Sequence, residues 1–528
     1  MRRLLLPVLI AVAAFTVPAS PAAANQQSMF SIMMDDDLLL YRGDDARDRS
    51  MRRMKGLGVD FVRVTVLWEV VAQNAKVDRF GKKRRKFKAD RHGTYPKQNW
   101  DKYDRLVRAG QTLGIGIYFN VTGPGPAWAH NKAPKSQKAF QRTWDPRAKE
   151  FYKFVKAVGT RYDGTQRDEN DGAKTLPRVG FWSIYNEPNQ PGWLMPQYKK
   201  VGSKVVAWSP VMYRELWRQG RAALDDTEHD NDIVLAGETA PLGSGQTNVK
   251  SPIRPKKFIR ELLCIDPAGR TYTGGAALKR KCSGLKKVGT FKYTAWAHHP
   301  YTKDLKPTAR DAHKDSITMA NASELTALLD QLAAKTNRLP ELNLSMMTEF
   351  GYETDPPDPF SGVKPELQAE YINLGDYLAW KDPRIVAQTQ FLLQDVDPVK
   401  RERKNSKKYW FTYQSGLFYN DGRPKPAGAA YRLPLVVVGR GIDSVGQEGT
   451  SLWGHLRFLP PNFSTSLSLQ FRPQGAADFS TIGDPVPVDP GGYFETVKAV
   501  GGPGTWRAVW IEPNSQVPFV SREADVTG

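Results

Sequence analysis

Eight short, nearly continuous apolar runs recur along the first four-fifths of the chain: Phe30–Met34, Phe61–Leu67, Gly116–Asn120, Phe181–Tyr185, Ile233–Ala236, Thr294–Ala297, Ser345–Thr348 and Val386–Leu392. Runs this short and this apolar suit strands buried on both faces, as in a parallel sheet. Amphipathic helical stretches lie between them. Phe151, Phe154, Val155 and Val158 keep helical spacing behind Asp145-Pro146, read as a cap and a first-turn proline. Ser209-Pro210 opens a second helix, and Leu325, Leu328, Leu329 and Leu332 form a third behind Ser323. Eight strand–helix units spell a (β/α)8 TIM barrel with long insertions. An open doubly wound sheet is the alternative, but no glycine-rich phosphate turn follows the first strand.

Near Leu433-Pro434 the pattern changes to short alternating segments, including Leu467–Phe471 and Trp506–Ile511, punctuated by Gly and Pro turns. This predicts a small C-terminal β-sandwich (Ig-like) over 434–528, with Phe494, Trp506 and Trp510 in its core and a structural role preferred to glycan binding. Residues 1–24 read as a secretory signal: Arg2 and Arg3, an apolar run from Leu4 to Val17, then small residues to Ala24. The catalytic unit is then expected over 25–433, with no membrane span after cleavage. Export favours a disulfide between Cys264 and Cys282, 18 positions apart.

Two carboxylates stand where strands give way to loops: Glu187 in Asn186-Glu187-Pro188-Asn189 after the fourth, and Glu349 in Thr348-Glu349-Phe350-Gly351 after the seventh. Barrel enzymes display their reactive groups at the C-terminal ends of strands. Two carboxyls there suit glycoside hydrolysis, which needs a proton donor and a second carboxylate flanking the scissile bond. Glu69 and Glu238, after the second and fifth strands, face the same opening. Asp35, Asp36 and Asp37 follow the first strand, where they would bind sugar hydroxyls or a cation, but a solvated, helix-capping loop is the preferred reading.

These motifs, with Phe61–Trp68, His298-His299-Pro300-Tyr301 and Gly422–Ala427, resemble clan A glycoside hydrolases, in the manner of families 5 and 39, across about residues 30–432. The resemblance implies an O-glycosyl hydrolase working by retaining double displacement, with Glu187 as acid/base and Glu349 as nucleophile. It also implies that Asn186 holds a sugar hydroxyl, that Tyr301 bonds the nucleophile and that His299 lines the same wall. Arg63 is the cation expected to keep Glu349 ionised. Asn120, Trp68, Trp128 and Trp193 complete the expected substrate-binding set, although core packing explains any one tryptophan as well. Where the clan often carries a tryptophan after the eighth strand, this chain offers Gln394 and Asp395, and Gln394 is taken as the substrate contact. No cofactor is expected, and no metal, because the His298-His299 pair lacks a third ligand in recognisable spacing.

Basic residues outnumber acidic ones 76 to 55, a net charge of +21. Such an excess speaks to partners. For an exported chain an anionic polysaccharide or cell envelope suits it better than nucleic acid. Two basic runs, Lys82–Lys86 and Lys400–Lys404, fall in loops after the second and eighth strands, where they would meet beside the cleft. A secreted or envelope-associated monomer is expected. A catalytically inactive glycan-binding barrel and an envelope structural protein are the rival readings.

Overall fold

The computed structural model describes residues 28–459 and 463–526. The expected signal, 1–24, lies outside them. Eight parallel strands close into a barrel: β1 (Phe30–Met34), β2 (Phe61–Leu67), β3 (Gly116–Thr122), β4 (Phe181–Ile184), β5 (Ile233–Thr239), β6 (Ala295–His298), β7 (Ser345–Phe350) and β8 (Ile385–Phe391). Each pairs with its neighbour in chain order, and β8 closes on β1 with Phe30 opposite Ala387. Every strand is followed by a helix: α1 (Asp44–Gly56), α2 (Asp101–Leu113), α3 (Ala148–Arg161), α4 (Ser209–Asp225), α5 (Pro255–Leu262), α6 (Ser323–Thr336), α7 (Pro365–Trp380) and α8 (Pro426–Arg432).

Period-two alternation separates two cores. Val62, Val64 and Val66 of β2 point outward into the layer shared with the helices. Ile32, Tyr118, Phe181, Leu235 and Met346 fill the lower barrel interior, where the Tyr118 and Phe181 rings stack at 4.1 Å. One expected cap is corrected. α3 begins at Ala148 with extended Arg147 before it, while Asp145 is held at φ 45° and Pro146 bridges to His130. The proline thus serves a loop pairing and not the helix start.

Two bulges break the alternation where it matters. Between β5 and β6 the pairs Ala236–Trp296 and Thr239–His298 leave one extra residue on β5. Between β7 and β8 the pairs Met347–Gln388 and Phe350–Gln390 leave one extra on β7. An extra residue re-aims a side chain, and the two segments so adjusted carry Glu238 and Glu349. Only glycine fits at 237, which sits at φ 102° with space for a Cβ just 2.3 Å from the Trp296 indole nitrogen.

Beyond α8 the chain forms two antiparallel sheets. One is β9 (Leu435–Ile442), β10 (Glu448–His455) and Tyr493–Lys498; the other centres on Thr465–Pro473 paired with Gly504–Ile511. Phe494, Trp506 and Trp510 are buried between them, as expected. This β-sandwich is fastened to the barrel. Trp453 and Tyr493 pack on Tyr377 and Trp380 of α7, and the buried Arg457 pairs with Asp376 at 2.6 Å. Arg457 also donates to the Tyr431 carbonyl and to Ser31 Oγ. Tyr493 OH accepts from the backbone of Met29, just before β1, so the sandwich sits at the strand-start end of the barrel, opposite the loops that follow the strands.

Cys264 and Cys282 form a disulfide in the segment between α5 and β6, at that same end. The buried Arg214 binds the carbonyls of Leu262, Arg280 and Lys281 around it. Among the described residues no helix is long and apolar enough to cross a membrane.

Candidate active site

Arg63 points from β2 into the top of the barrel and is fully buried. One guanidinium nitrogen donates to Glu349 Oε1 at 3.0 Å; the other donates to Asn186 Oδ1 at 2.8 Å and Glu238 Oε2 at 3.2 Å. A buried cation persists only with this kind of compensation.

Glu238 lies beneath the opening with no exposure. It accepts from Tyr118, Ser183, Thr348, Arg63 and His299. Burial alone would raise its carboxyl, yet Arg63 and His299 outweigh that and hold it far below the usual carboxylate range. Glu238 therefore does not face the opening as a rival acid. It is a fixed negative charge under the site.

His299 bridges the layers. Its Nε2 lies 2.8 Å from Glu238 Oε2, and its Nδ1 lies 2.9 Å from Glu187 Oε1 and 3.6 Å from Glu349 Oε2. Burial would lower its basicity, but Glu349, Glu187 and Glu238 together push it up to about 10. An imidazolium with both nitrogens protonated donates in both directions, and Glu187, His299 and Glu349 each place one atom within 4.8 Å of the others. His298 turns away to Thr239 and the Ile317 carbonyl.

Glu349 has its second oxygen bonded by Tyr301 OH at 3.2 Å. Burial raises its carboxyl; His299 and Arg63 oppose this, Glu187 and Glu238 add to it, and the net direction is upward. Glu187 reaches the same space from the end of β4, its backbone N–H bonded to the Glu238 carbonyl at 2.9 Å. A carboxylate oxygen of each lies within 4.8 Å of the other. Glu187, Tyr185, Glu238 and Leu392, all at strand ends, have φ of 35°, 72°, 47° and 78°. Non-glycine residues avoid this region unless the surroundings enforce it, and such strain gathers at functional sites. Part of that enforcement comes from Asn189, whose side chain binds the Ala240 and Ile253 carbonyls and the Ala240 N–H.

Above the pair opens a cleft of about 880 Å³, a size suited to a small ligand. Glu187, Glu349, Asn186, Tyr301 and Trp193 line it. Other expected contacts lie elsewhere. Trp68 is fully buried, stacked on Phe154 at 5.5 Å, because the short helix it opens turns the indole into the core. Trp128 packs on Phe87 under the Lys76 ammonium, off the cleft. Asn120 is buried one layer down, bonded to Ser183 and Glu238. Gln394 donates to the Asn420 carbonyl and lines a neighbouring cavity. Asp395 is committed to a buried ion pair with Lys425 at 2.7 Å. Glu69 pairs with Arg142.

The Asp35–Asp37 run also departs from the solvated loop expected. Asp35 is fully buried, accepts from the backbone of Leu38, Leu393 and Gln394, and is pushed up to about 7 by burial. Asp36 lines the cleft while accepting from Thr65, and burial brings it to about 6. The aromatic wall after β8 is supplied by Tyr413 and Phe391, whose rings meet edge-on at 5.1 Å. Tyr413 lies far along the loop from β8, and no local pattern marks it. Of the basic runs and their flanks, Lys407 lines the cleft, whereas Arg84, Arg85 and Lys86 line a separate depression.

No family model and no curated protein matches the chain. Among solved structures it is similar to a family 39 glycoside hydrolase from the gut symbiont Bacteroides cellulosilyticus, at 14% identity over 90% of this chain and 79% of that one, TM-score 0.49. It is similar to a glucosidase from Croceicoccus marinus, at 11% identity over 90% and 93%, TM-score 0.46. It is also similar to a β-glucosidase from Thermotoga maritima, at 11% identity over 77% and 96%, TM-score 0.46. Identities this low and TM-scores below 0.5 leave the chemistry to be read from the site's own geometry.

Proposed function

We propose that the chain is a retaining O-glycosyl hydrolase, exported by way of residues 1–24. The observation that carries this reading is the spacing of Glu187 and Glu349, whose nearest oxygens are within 4.8 Å. Retaining enzymes place their carboxyls about 5–5.5 Å apart, inverting ones about 6.5–9.5 Å.

In the first step a Glu349 oxygen attacks the anomeric carbon as the bond to the leaving oxygen breaks, and Glu187 gives that oxygen its proton. The product is a glycosyl ester on Glu349. Water then attacks the same carbon, Glu187 takes its proton, and Glu349 leaves as carboxylate. Arg63 and Tyr301 each hold one oxygen of Glu349, orienting it and stabilising its charge. His299, charged and anchored on Glu238, orients Glu187. Asn186, held by Arg63, is placed to bond the hydroxyl beside the reacting carbon.

The cleft lining bears on the sugar. Asp36, Asp37 and Asp304 join the two glutamates there, against Lys303 and Lys407, while burial pushes the neighbouring Glu353 carboxyl up to about 8. That balance favours an uncharged sugar at the reacting position, so any anionic part of an acidic glycan is accommodated outside it.

Glycan-panel turnover followed by NMR tests the proposal. The expected first product keeps the anomeric configuration of the substrate, and Glu349→Gln lowers kcat by at least about 10³-fold. An inverted product refutes the nucleophile assignment. Binding without turnover by the wild type identifies a glycan-binding barrel instead.

A further inference from the structure

A second cavity, of about 430 Å³, opens beside the cleft between α1 and the loop that follows β8. Its α1 wall is basic. Arg42 precedes the helix, and Arg49 and Arg53 follow on one face, four residues apart. Gln394 and Asn420 form the opposite wall.

These arginines are not equally engaged. Arg42 pairs with Asp37 at 2.8 Å and Asp397 at 3.2 Å. Arg49 and Arg53 have no carboxylate within ion-pair distance among the described residues. Asp421, the acid in the lining, is tied to Arg423 at 2.7 Å. The Arg53 guanidinium rests over the Phe418 ring, 4.2 Å from its centroid, which orients its donors.

The cavity and the cleft share a border. Asp37 lines the cleft and its partner Arg42 lines the cavity, so their ion pair spans the border. Asp397, the other partner of Arg42, also binds Lys400 at 3.3 Å, which places the start of the second basic run at the same rim. Charge therefore changes sign across the rim, from the carboxylate-rich cleft to the arginine wall.

We propose that this cavity is an accessory subsite for an oxyanion, carboxylate or sulfate, carried by a sugar unit of a chain whose uncharged unit occupies the cleft. The proposal rests on the glycan-hydrolase reading of the cleft. Guanidinium groups suit this ligand because their planar donor forks match carboxylate and sulfate oxygens. Two such forks four residues apart on a helix offer a fixed spacing, and the Asp37–Arg42 pair marks where the chain would cross.

Titration of the full-length Glu349→Gln protein tests it without turnover. The probes are hexagalacturonate, its methyl-esterified uncharged form, a sulfated hexasaccharide and inorganic sulfate. The charged oligosaccharides are expected to bind more tightly than the ester, with affinity falling as salt rises. Adding Arg49→Gln and Arg53→Gln is expected to weaken the carboxylate or the sulfate form by about tenfold or more and to leave the ester unchanged. Arg49→Lys with Arg53→Lys should restore part of the loss, which a purely structural role would not predict. Equal binding with and without the two arginines overturns the subsite, as does arginine-dependent binding of inorganic sulfate alone. Such a failure leaves turnover of neutral glycans by the otherwise wild-type protein intact. Arginine-dependent binding in a protein that cleaves no glycan defeats the hydrolase reading instead.

Discussion

His299 Nε2 lies 2.8 Å from Glu238 Oε2, with neither side chain exposed to solvent. This buried pair is the foundation of the site, since the other imidazole nitrogen reaches Glu187. A fixed charge two hydrogen bonds removed from Glu187 thereby governs the geometry of that carboxyl.

Replacing Glu238 by Gln removes the charge that Arg63 and His299 share. Breaking a buried ion pair on one side costs about 3–5 kcal/mol, so the unfolding midpoint in urea should fall markedly. The pH response should change as well. His299 is raised to about 10 in the folded protein, above the ~6.5 of an unperturbed imidazole. Its contribution to stability is therefore complete below about pH 6.5 and is lost as pH rises through about 10. Without Glu238 that loss should begin at lower pH, and the alkaline limb of kcat/KM should move the same way. An unmoved limb contradicts the bridging role of His299.

On the proposed mechanism, Glu187→Gln removes the proton donor while leaving the nucleophile. Loss of general acid catalysis costs about 10²–10⁴-fold, and the cost should depend on the leaving group. Natural glycosides should show the whole loss. Aryl glycosides with acidic phenols need little protonation and should still form the glycosyl-enzyme, seen as a burst of phenol. A uniform loss across leaving groups argues against the acid/base assignment.

Reducing the Cys264–Cys282 bond, or replacing both cysteines by Ser, should lower stability by roughly 3 kcal/mol, from the entropy of the released loop. Because the bond lies at the strand-start end of the barrel, kcat and KM should be unchanged at temperatures where the variant is folded. Circular dichroism melts beside initial rates measure both. A change in KM without a change in stability contradicts this placement.

Arg457→Met leaves Asp376 buried without its partner. Burial already raises the Asp376 carboxyl against the pull of Arg457, so the variant should lose about 3–5 kcal/mol at the barrel–sandwich contact. Hydrogen exchange should report it as faster exchange in α7 and β10, with the cleft residues protected as before. Exchange confined to the far sheet contradicts the fastening role.

Much of the architecture is legible in the sequence. All eight barrel strands overlap the eight apolar runs, because a strand buried on both faces needs a continuous apolar segment whatever its neighbours are. Glu187 and Glu349 stand out because Asn-Glu-Pro-Asn and Thr-Glu-Phe-Gly end such runs abruptly. Tyr413 is not legible, and Asp36 is legible only as the less favoured of two readings. One reaches the cleft from far along a loop, and the other is turned inward by its bond to Thr65.

What the chain determines by itself follows from local periodicity: the strand–helix alternation, the strand-end placement of the two acids, and the cysteine spacing. What the tertiary structure alone decides is which way side chains face once alternation fails. The bulges in β5 and β7 exist only in register with β6 and β8. They put Glu238 under the site as a fixed charge and Glu349 inside it. Trp68 and Gln394 stand at strand ends in the sequence just as the acids do, yet closure of the barrel packs one into the core and leaves the other in the adjoining cavity. A strand-end position fixes how near the cleft a residue lies, and the neighbouring strands and loops fix whether it points in.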